Sequence, residues 1–219
     1  MTKEKNRILF KDRDDACEKL LGVLPSSLCS FDNLTVLAVS EGGVFFAEKL
    51  AKEMQCKMDI LLSASIHSKV NPNLVIAKVG ETEEVVIHKA LTRAFGISTD
   101  YIYDEAHYVY EENILRYIKK YRDGEVLEQL KDKYVILTDE CVETGLTMMT
   151  AVKTVISLGA KNIFIAVPIL DKVVYESLVT VCDNIFCPHK IEDYVSIEYY
   201  YEDLDAFSFE SIQKIMQNR

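Results

Sequence analysis

One segment decides the fold predicted for this chain: Tyr134-Val-Ile-Leu-Thr138-Asp139-Glu140-Cys-Val-Glu143-Thr144-Gly145-Leu-Thr147. It begins with the short β-branched run Val135 to Leu137, which indicates a buried strand because it is too short for a helix. After the loop, Met148, Val152 and Val155 recur at helical spacing up to Gly159, which is typical of a helix and its glycine stop. The segment therefore predicts a strand, a loop and a helix in succession.

The loop between this strand and this helix has the chemistry to bind two different groups. A helix begins with unpaired N–H groups, so the backbone of Glu143, Thr144, Gly145, Leu146 and Thr147 suits a phosphate. Asp139 and Glu140 would repel that phosphate, but carboxylates at the end of a parallel strand suit a sugar diol or a divalent cation. A phosphate site beside a diol site predicts a ribose 5-phosphate.

The same residues resemble the phosphoribosyl pyrophosphate (PRPP) signature of the type I phosphoribosyltransferases: an acid pair closing an apolar strand, then Thr-Gly-x-Thr. The resemblance implies that Asp139 and Glu140 hold the ribose hydroxyls directly or through Mg²⁺, and that the residues 143–147 hold the 5-phosphate. Glu143 matches the position of the general acid/base in the hypoxanthine-guanine branch. It is also compatible with an ordinary solvent-facing acid.

A second strand, loop and helix precede this one. Thr35 to Val39 is an apolar strand pattern, Val44 to Met54 is helical, and the loop between them is Ser40-Glu41-Gly42-Gly43. The resemblance implies that this loop binds pyrophosphate through its amides, and glycine would let the backbone approach the anion. Glu41 departs from the family, where a basic residue is usual. Either its side chain turns outward, or the loop has lost its ligand.

The remaining segments alternate in the same way and predict an α/β fold, a twisted and mainly parallel sheet with helices on both faces. We expect one domain over residues 1–219, with residues 63–124 as a lid or helical insertion that carries a hairpin and a long helix from Ser98 to Asp123. Lys69 and Lys78 are the basic residues there that could reach a phosphate, and we expect both to be solvated. The tyrosines of the long helix predict lid packing or a homodimer interface.

Composition restricts the function. The chain has 219 residues, 49% of them apolar, and a net charge of -10, so it can build one good core but is unsuited to nonspecific nucleic-acid binding. No apolar run approaches a membrane span. Six scattered cysteines without a CxxC pair predict reduced thiols in the cytoplasm, and His107 has no partner at metal-ligand spacing.

Two functions remain open. Similarity to a group of predicted bacterial phosphoribosyltransferases extends over nearly the whole chain and implies a Mg²⁺-dependent transfer of ribose 5-phosphate between PRPP and a nitrogenous base, with release of pyrophosphate. The alternative is a non-catalytic protein of the same fold that binds PRPP or a nucleotide as a sensor. Glu41 and the few basic residues near the expected pyrophosphate favour the alternative.

Overall fold

A computed structural model describes residues 8–205 and 207–217 of the chain. The described residues contain ten strands: β1 Leu34–Ala38, β2 Lys57–Ile60, β3 Ser63–His67, β4 Val75–Gly80, β5 Val85–Ile87, β6 Tyr134–Thr138, β7 Asn162–Ala166, β8 Ile169–Asp171, β9 Asn184–Phe186 and β10 His189–Ile191. They also contain eight α-helices: α1 Arg13–Leu21, α2 Gly43–Met54, α3 Lys89–Ala94, α4 Thr99–Val109, α5 Leu115–Arg122, α6 Leu146–Ser157, α7 Lys172–Leu178 and α8 Phe209–Met216.

The central sheet has five parallel strands in the order β2-β1-β6-β7-β9. Its strands are nearly continuous apolar runs because both faces are covered. Along β1, Val36 and Ala38 pack on the face covered by α2, whereas Leu37 packs on the opposite face, which α6 covers through Val152 and Val155. The predicted α/β architecture, a mainly parallel sheet with helices on both faces, is confirmed.

A second layer stands over the carboxyl edge of the central sheet. We call it the hood: the antiparallel sheet β3-β4-β5 with helices α3, α4 and α5. Its apolar residues, such as Ile66, Ile76 and Ile118, belong to the same buried cluster as Val36 of the central sheet. The hood falls inside residues 63–124, the segment predicted as a lid, and its movement as a lid stays a prediction.

Local sequence signals account for several helix ends. Asp12, Ser98 and Ser208 each accept a hydrogen bond from a backbone N–H in the first turn of α1, α4 and α8, as expected of N-cap residues. Gly159, with φ of +84°, follows the end of α6. These features depend on residues within one helical turn, which is why the sequence alone predicts them.

Other elements differ from the prediction. The single helix expected from Ser98 to Asp123 is interrupted by one π-helical turn, Tyr110–Ile114, a feature often found near functional sites. Helix α3 and the two-stranded parallel sheet β8-β10 are absent from the sequence-based prediction. With six and three residues per element, they are too short to show a reliable period.

Candidate active site

The loops after β1 and β6 lie side by side at the carboxyl edge of the central sheet. These strands are adjacent and parallel, with Ala38 paired to Thr138 at their ends, so the residues that follow them meet. Gly43 N–H donates to Ser40 Oγ at 3.0 Å, and Ser40 Oγ in turn donates to Asp139 Oδ1. The two segments predicted to bind pyrophosphate and ribose are therefore joined by hydrogen bonds.

Asp139 is a titratable residue within this hydrogen-bonded arrangement. Burial raises the pKa of its carboxyl group to about 7, because the ionised form loses hydration. The hydroxyl of Ser40 and the N–H of Glu140, which donates to Oδ1 at 2.9 Å, lower the pKa but do not cancel the effect of burial. The sequence predicts Asp139 on an exposed loop; it is instead half-buried.

Glu140 is held by a residue that the sequence analysis does not assign to the site. Arg13 in the first turn of α1 contacts Glu140 Oε1 through both Nε and Nη2 at 2.5 Å, and it also donates to the carbonyl of Asp205. The two side chains of the pair are only 14% and 18% exposed. The partners are 127 residues apart in the sequence, so local patterns cannot connect them.

Gly42 and Gly43 pack closely against the segment that carries the acid pair. Gly42 has φ of -67°, and Gly43 is not among the positive-φ glycines, so neither needs the freedom of glycine. A Cβ at Gly42 would lie 2.0 Å from Glu140 Oε2, and one at Gly43 would lie 2.8 Å from the carbonyl oxygen of Thr138. The glycines therefore let the acid pair pack directly against the loop.

The turn before α6 presents unpaired donors. In the described part of the chain, no hydrogen bond from the backbone N–H groups of residues 143–148 is found, as expected at a helix start. Gly145 adopts φ of +74°, and a Cβ there would lie 2.6 Å from Val174 Cγ1. Glycine is therefore needed at position 145 for two reasons: the positive φ, and the lack of space for a Cβ next to α7.

The side chain of Glu41 faces α5. Tyr121 donates its hydroxyl to Glu41 Oε1, and Lys120 Nζ lies 3.5 Å from the same oxygen. Glu41 is 56% exposed, and these two partners compensate its charge at the side of the loop. Tyr121 is among the tyrosines predicted to pack a lid or a dimer interface; it is buried beside the loop after β1, and that role stays a prediction.

Glu143, the predicted acid/base, is exposed on the loop before α6. Thr144 beside it is also exposed, whereas Thr147 is half-buried and Leu146 is buried. Glu143 lies on the same loop as Asp139 and Glu140 but is not part of their hydrogen-bond network. Its role as a catalytic residue stays a prediction.

One cavity lies within the hood, and a second lies between the hood and the loop after β1. The hood cavity, about 670 Å³, is lined on the β3-β4 side by Ser63, Ser65, His67 and Lys78 and on the helical side by residues of α4, the π turn and α5. A smaller cavity of about 180 Å³ lies between Ser40, Glu41 and Tyr121, and it shares Ser63 and Tyr117 with the first.

A larger cavity, about 1070 Å³, lies away from these loops. It is lined by Leu34, Thr35, Lys57 and Met58 at the amino ends of β1 and β2, which is the opposite edge of the central sheet. Ligands of open parallel sheets bind outside the carboxyl ends of the strands. The chemistry-bearing residues named above also lie at that carboxyl edge, so the functional site is assigned there.

Comparison with known proteins agrees with this geometry. The family model of the phosphoribosyl transferase domain matches residues 14–203. The chain belongs to the phosphoribosyl transferase domain family. Two proteins of Mycobacterium tuberculosis (strains CDC 1551 / Oshkosh and ATCC 25618 / H37Rv), both named putative phosphoribosyl transferases, are 25% identical to it over 179 residues. That alignment covers 82% of this chain, and the chain spans about 40% of the length of these relatives.

Among solved structures, the crystal structure of TT1426 from Thermus thermophilus superposes with a TM-score of 0.78. It is 23% identical in sequence, and the match covers 96% of this chain and 99% of that one. At this identity the likeness concerns the fold. The fold and the family membership predicted from the segment around Asp139 are thus both confirmed.

Within this phosphoribosyl transferase domain, Lys78 departs most from the sequence-based expectation. It was expected to be solvated, but it is half-buried in the hood cavity, and burial lowers its pKa while the nearby charge of Asp139 opposes that shift. Lys69 is exposed, as expected, with its ammonium group 4.2 Å from the ring centre of Tyr101. The sequence signal for such a lysine is weak, because the residue pattern of a strand does not say whether a polar side chain meets solvent or a cavity.

Two further expectations concern cysteines and membranes. Each of the six cysteines is a free thiol. Burial raises the pKa of Cys141, next to the acid pair, to about 12, so this thiol is a poor nucleophile at neutral pH. Among the helices that the structure describes, none is both long and apolar enough to cross a membrane.

Proposed function

We propose that this phosphoribosyl transferase domain uses PRPP and Mg²⁺ to transfer ribose 5-phosphate to or from a nitrogenous base, with pyrophosphate as the other product. One observation carries the proposal: the acid pair Asp139–Glu140, the unpaired amides before α6 and the loop Ser40–Gly43 lie together at one edge of the sheet. Diol, phosphate and pyrophosphate are the three parts of PRPP, and each has a matching partner there.

The residues fit a Mg²⁺ ion that is shared with the substrate. Mg²⁺ prefers six oxygen ligands and is usually held by one or two carboxylates together with substrate phosphates. In the described residues no group of three or more His, Cys, Asp and Glu side chains could hold a metal, whereas Asp139 and Glu140 supply two adjacent carboxylates. When bound, the ion would neutralise charge on the pyrophosphate group and orient it.

The reaction breaks the bond between C1 of the ribose and a pyrophosphate oxygen, and the electron pair leaves with that oxygen. A ring nitrogen of the base forms the new bond to C1 and then loses its proton. Because the transition state resembles an oxocarbenium ion, the protein must hold the ribose and stabilise the leaving anion. Asp139 and Glu140 orient the ribose hydroxyls, the amides of residues 143–147 anchor the 5-phosphate, and Glu143 exchanges the proton of the base.

The loop Ser40–Gly43 contributes amides to the leaving group. Gly43 N–H is already bonded to Ser40 Oγ, so the amides of Glu41 and Gly42 are the donors that remain for pyrophosphate. Arg13 orients Glu140 from the other side. Binding of the metal ion would displace the proton from Asp139, whose pKa is raised by burial.

The proposal is tested by calorimetry and by turnover. PRPP should bind with Mg²⁺ and lose most of its affinity with EDTA, and a panel of purine and pyrimidine bases should reveal one that releases pyrophosphate. Asp139→Asn with Glu140→Gln should abolish PRPP binding, while Glu128→Gln, a carboxylate at the far edge of the sheet, should leave it unchanged. Equal PRPP affinity of the double variant and the wild type would refute the assigned role.

A second function, PRPP or nucleotide binding without catalysis, is favoured by the carboxylate of Glu41 in the pyrophosphate loop. Because Tyr121 and Lys120 hold this carboxylate at the side of the loop, we expect Glu41→Arg to strengthen PRPP binding by about 1 kcal/mol or less, the effect of an exposed charge. Undetectable binding by the wild type and strong binding by Glu41→Arg would instead show that Glu41 repels the ligand and would favour the sensor.

A further inference from the structure

Lys78 occupies an unusual place in the hood. It lies on β4 directly opposite Ser65 of β3, and with Ser63 and His67 it forms the polar wall of the hood cavity. The other wall includes Asn113 of the π-helical turn, Tyr117 of α5 and one carboxylate, that of Glu105 of α4. This cavity adjoins the smaller one beside Ser40 and Glu41 because both include Ser63 and Tyr117.

The ammonium group of Lys78 lacks a close partner. In the described residues, neither a hydrogen bond nor an ion pair is found for it, and Asp139 acts on it only as a nearby charge. Desolvating a cation costs free energy unless a compensating charge or hydrogen bond is present. A lysine that is half-buried, faces a cavity and lacks a partner is therefore prepared for an anion that enters this cavity.

The other cations around the site are already engaged. Arg13 pairs with Glu140, Lys120 with Glu41, and Arg122 with Glu81. Lys69 stands at the exposed rim of the same cavity, over the ring of Tyr101. Among these residues, Lys78 is the one that is both half-buried and unpaired.

The loop Ser40–Gly43 lacks a cation, whereas Lys78 lacks an anionic partner. It offers amides to pyrophosphate but its side chains supply no positive charge, and Glu41 adds a negative one. Pyrophosphate carries several negative charges, and more charge develops on its bridging oxygen as the bond to C1 breaks. A partly desolvated ammonium group stabilises such charge more strongly than an exposed one.

We propose that Lys78, reaching down from the hood hairpin, is a catalytic residue that binds the pyrophosphate group of PRPP and supplies the positive charge that the loop after β1 lacks. This inference rests on the proposed function and assigns its leaving-group contact to a second segment of the chain. The departing pyrophosphate accepts the electron pair of the C1–O bond, and Lys78 keeps its proton and acts through its charge. The hood thereby takes part in the chemistry itself.

The test compares two ligands that differ only in pyrophosphate. PRPP and ribose 5-phosphate, each with Mg²⁺, are titrated by calorimetry into the wild type, Lys78→Met and the matched control Lys69→Met. Lys78→Met should weaken PRPP binding at least tenfold and leave ribose 5-phosphate within twofold. Lys69→Met should change neither by more than twofold, and Lys78→Arg should restore most of the PRPP affinity.

Three results would overturn the inference. An equal loss for PRPP and ribose 5-phosphate would place Lys78 at the ribose or in the fold. Unchanged PRPP affinity with a raised KM for the base would place it at the acceptor. A wild type that binds neither ligand would refute the proposed function itself, which is a distinguishable outcome.

A second measurement needs no variant and so does not depend on folding of Lys78→Met. Reductive methylation of the wild type, followed by mass spectrometry, reports the access of reagent to each lysine. Pyrophosphate with Mg²⁺ should slow methylation of Lys78 several-fold and leave Lys69 unaffected. Equal methylation of Lys78 with and without pyrophosphate would contradict the proposal.

Discussion

Replacing Asp139 by Asn should stabilise the ligand-free protein at alkaline pH, although Asp139 is assigned to PRPP binding. Burial raises the pKa of Asp139 from 3.8 to about 7 in the folded state. A group whose pKa is raised on folding contributes stability that is complete below its unfolded pKa and is lost as pH rises through its folded pKa. The loss for Asp139 therefore extends from about pH 4 to about pH 7.

The magnitude follows from the same shift. One pKa unit corresponds to about 1.4 kcal/mol, and integration of the linkage relation between pH 5 and pH 8 gives a loss of roughly 2 to 3 kcal/mol for this carboxyl group. Asn cannot ionise, but its Oδ1 still accepts hydrogen bonds from Ser40 and from the N–H of Glu140. The free energy of unfolding of Asp139→Asn minus that of the wild type should therefore rise by this amount across the interval.

Urea unfolding followed by circular dichroism at pH 5, 6, 7 and 8, at one salt concentration, measures this difference. Glu81, whose pKa is also raised to about 7 by burial, titrates in both proteins and cancels in the subtraction. Glu143→Gln, which removes an exposed carboxylate from the same loop, is measured alongside as the control variant. A difference between Asp139→Asn and the wild type that stays constant or falls with pH would refute the reasoning.

Two further predictions concern stability. Arg122→Met should destabilise the protein by about 3 to 5 kcal/mol because it leaves Glu81 buried without its ion-pair partner. Glu81→Leu combined with Arg122→Met should cost less than the single change. If the losses in free energy of urea unfolding were additive, this reasoning would be contradicted. Gly145→Ala should cost about 1 to 3 kcal/mol more than Gly96→Ala, because both glycines have positive φ but only Gly145 would place a Cβ against Val174; equal shifts in thermal melting would show that the contact is unimportant.

The position of the acid pair shows which features of the site local sequence patterns can predict. The β-branched run before Asp139, the helical spacing after Gly145 and the parallel arrangement of two such units are enough to predict that the loops after β1 and β6 share one sheet edge. The partners of these loops cannot be predicted in the same way. Glu140 pairs with Arg13 across 127 residues, and Glu41 accepts from Tyr121 across 80 residues.

Periodicity and the spacing of residues a few positions apart were sufficient to assign the fold class and to predict two loops at one sheet edge, and the resemblance of the segment around Asp139 to a known signature indicated the family. The electrostatics of the site depend instead on tertiary packing: the raised pKa of Asp139, the tethering of Glu41 to α5, and the unpaired Lys78 in the hood cavity. Burial and charge pairing arise when distant segments pack together, and a lysine in a sequence looks the same whether its strand faces water or a cavity.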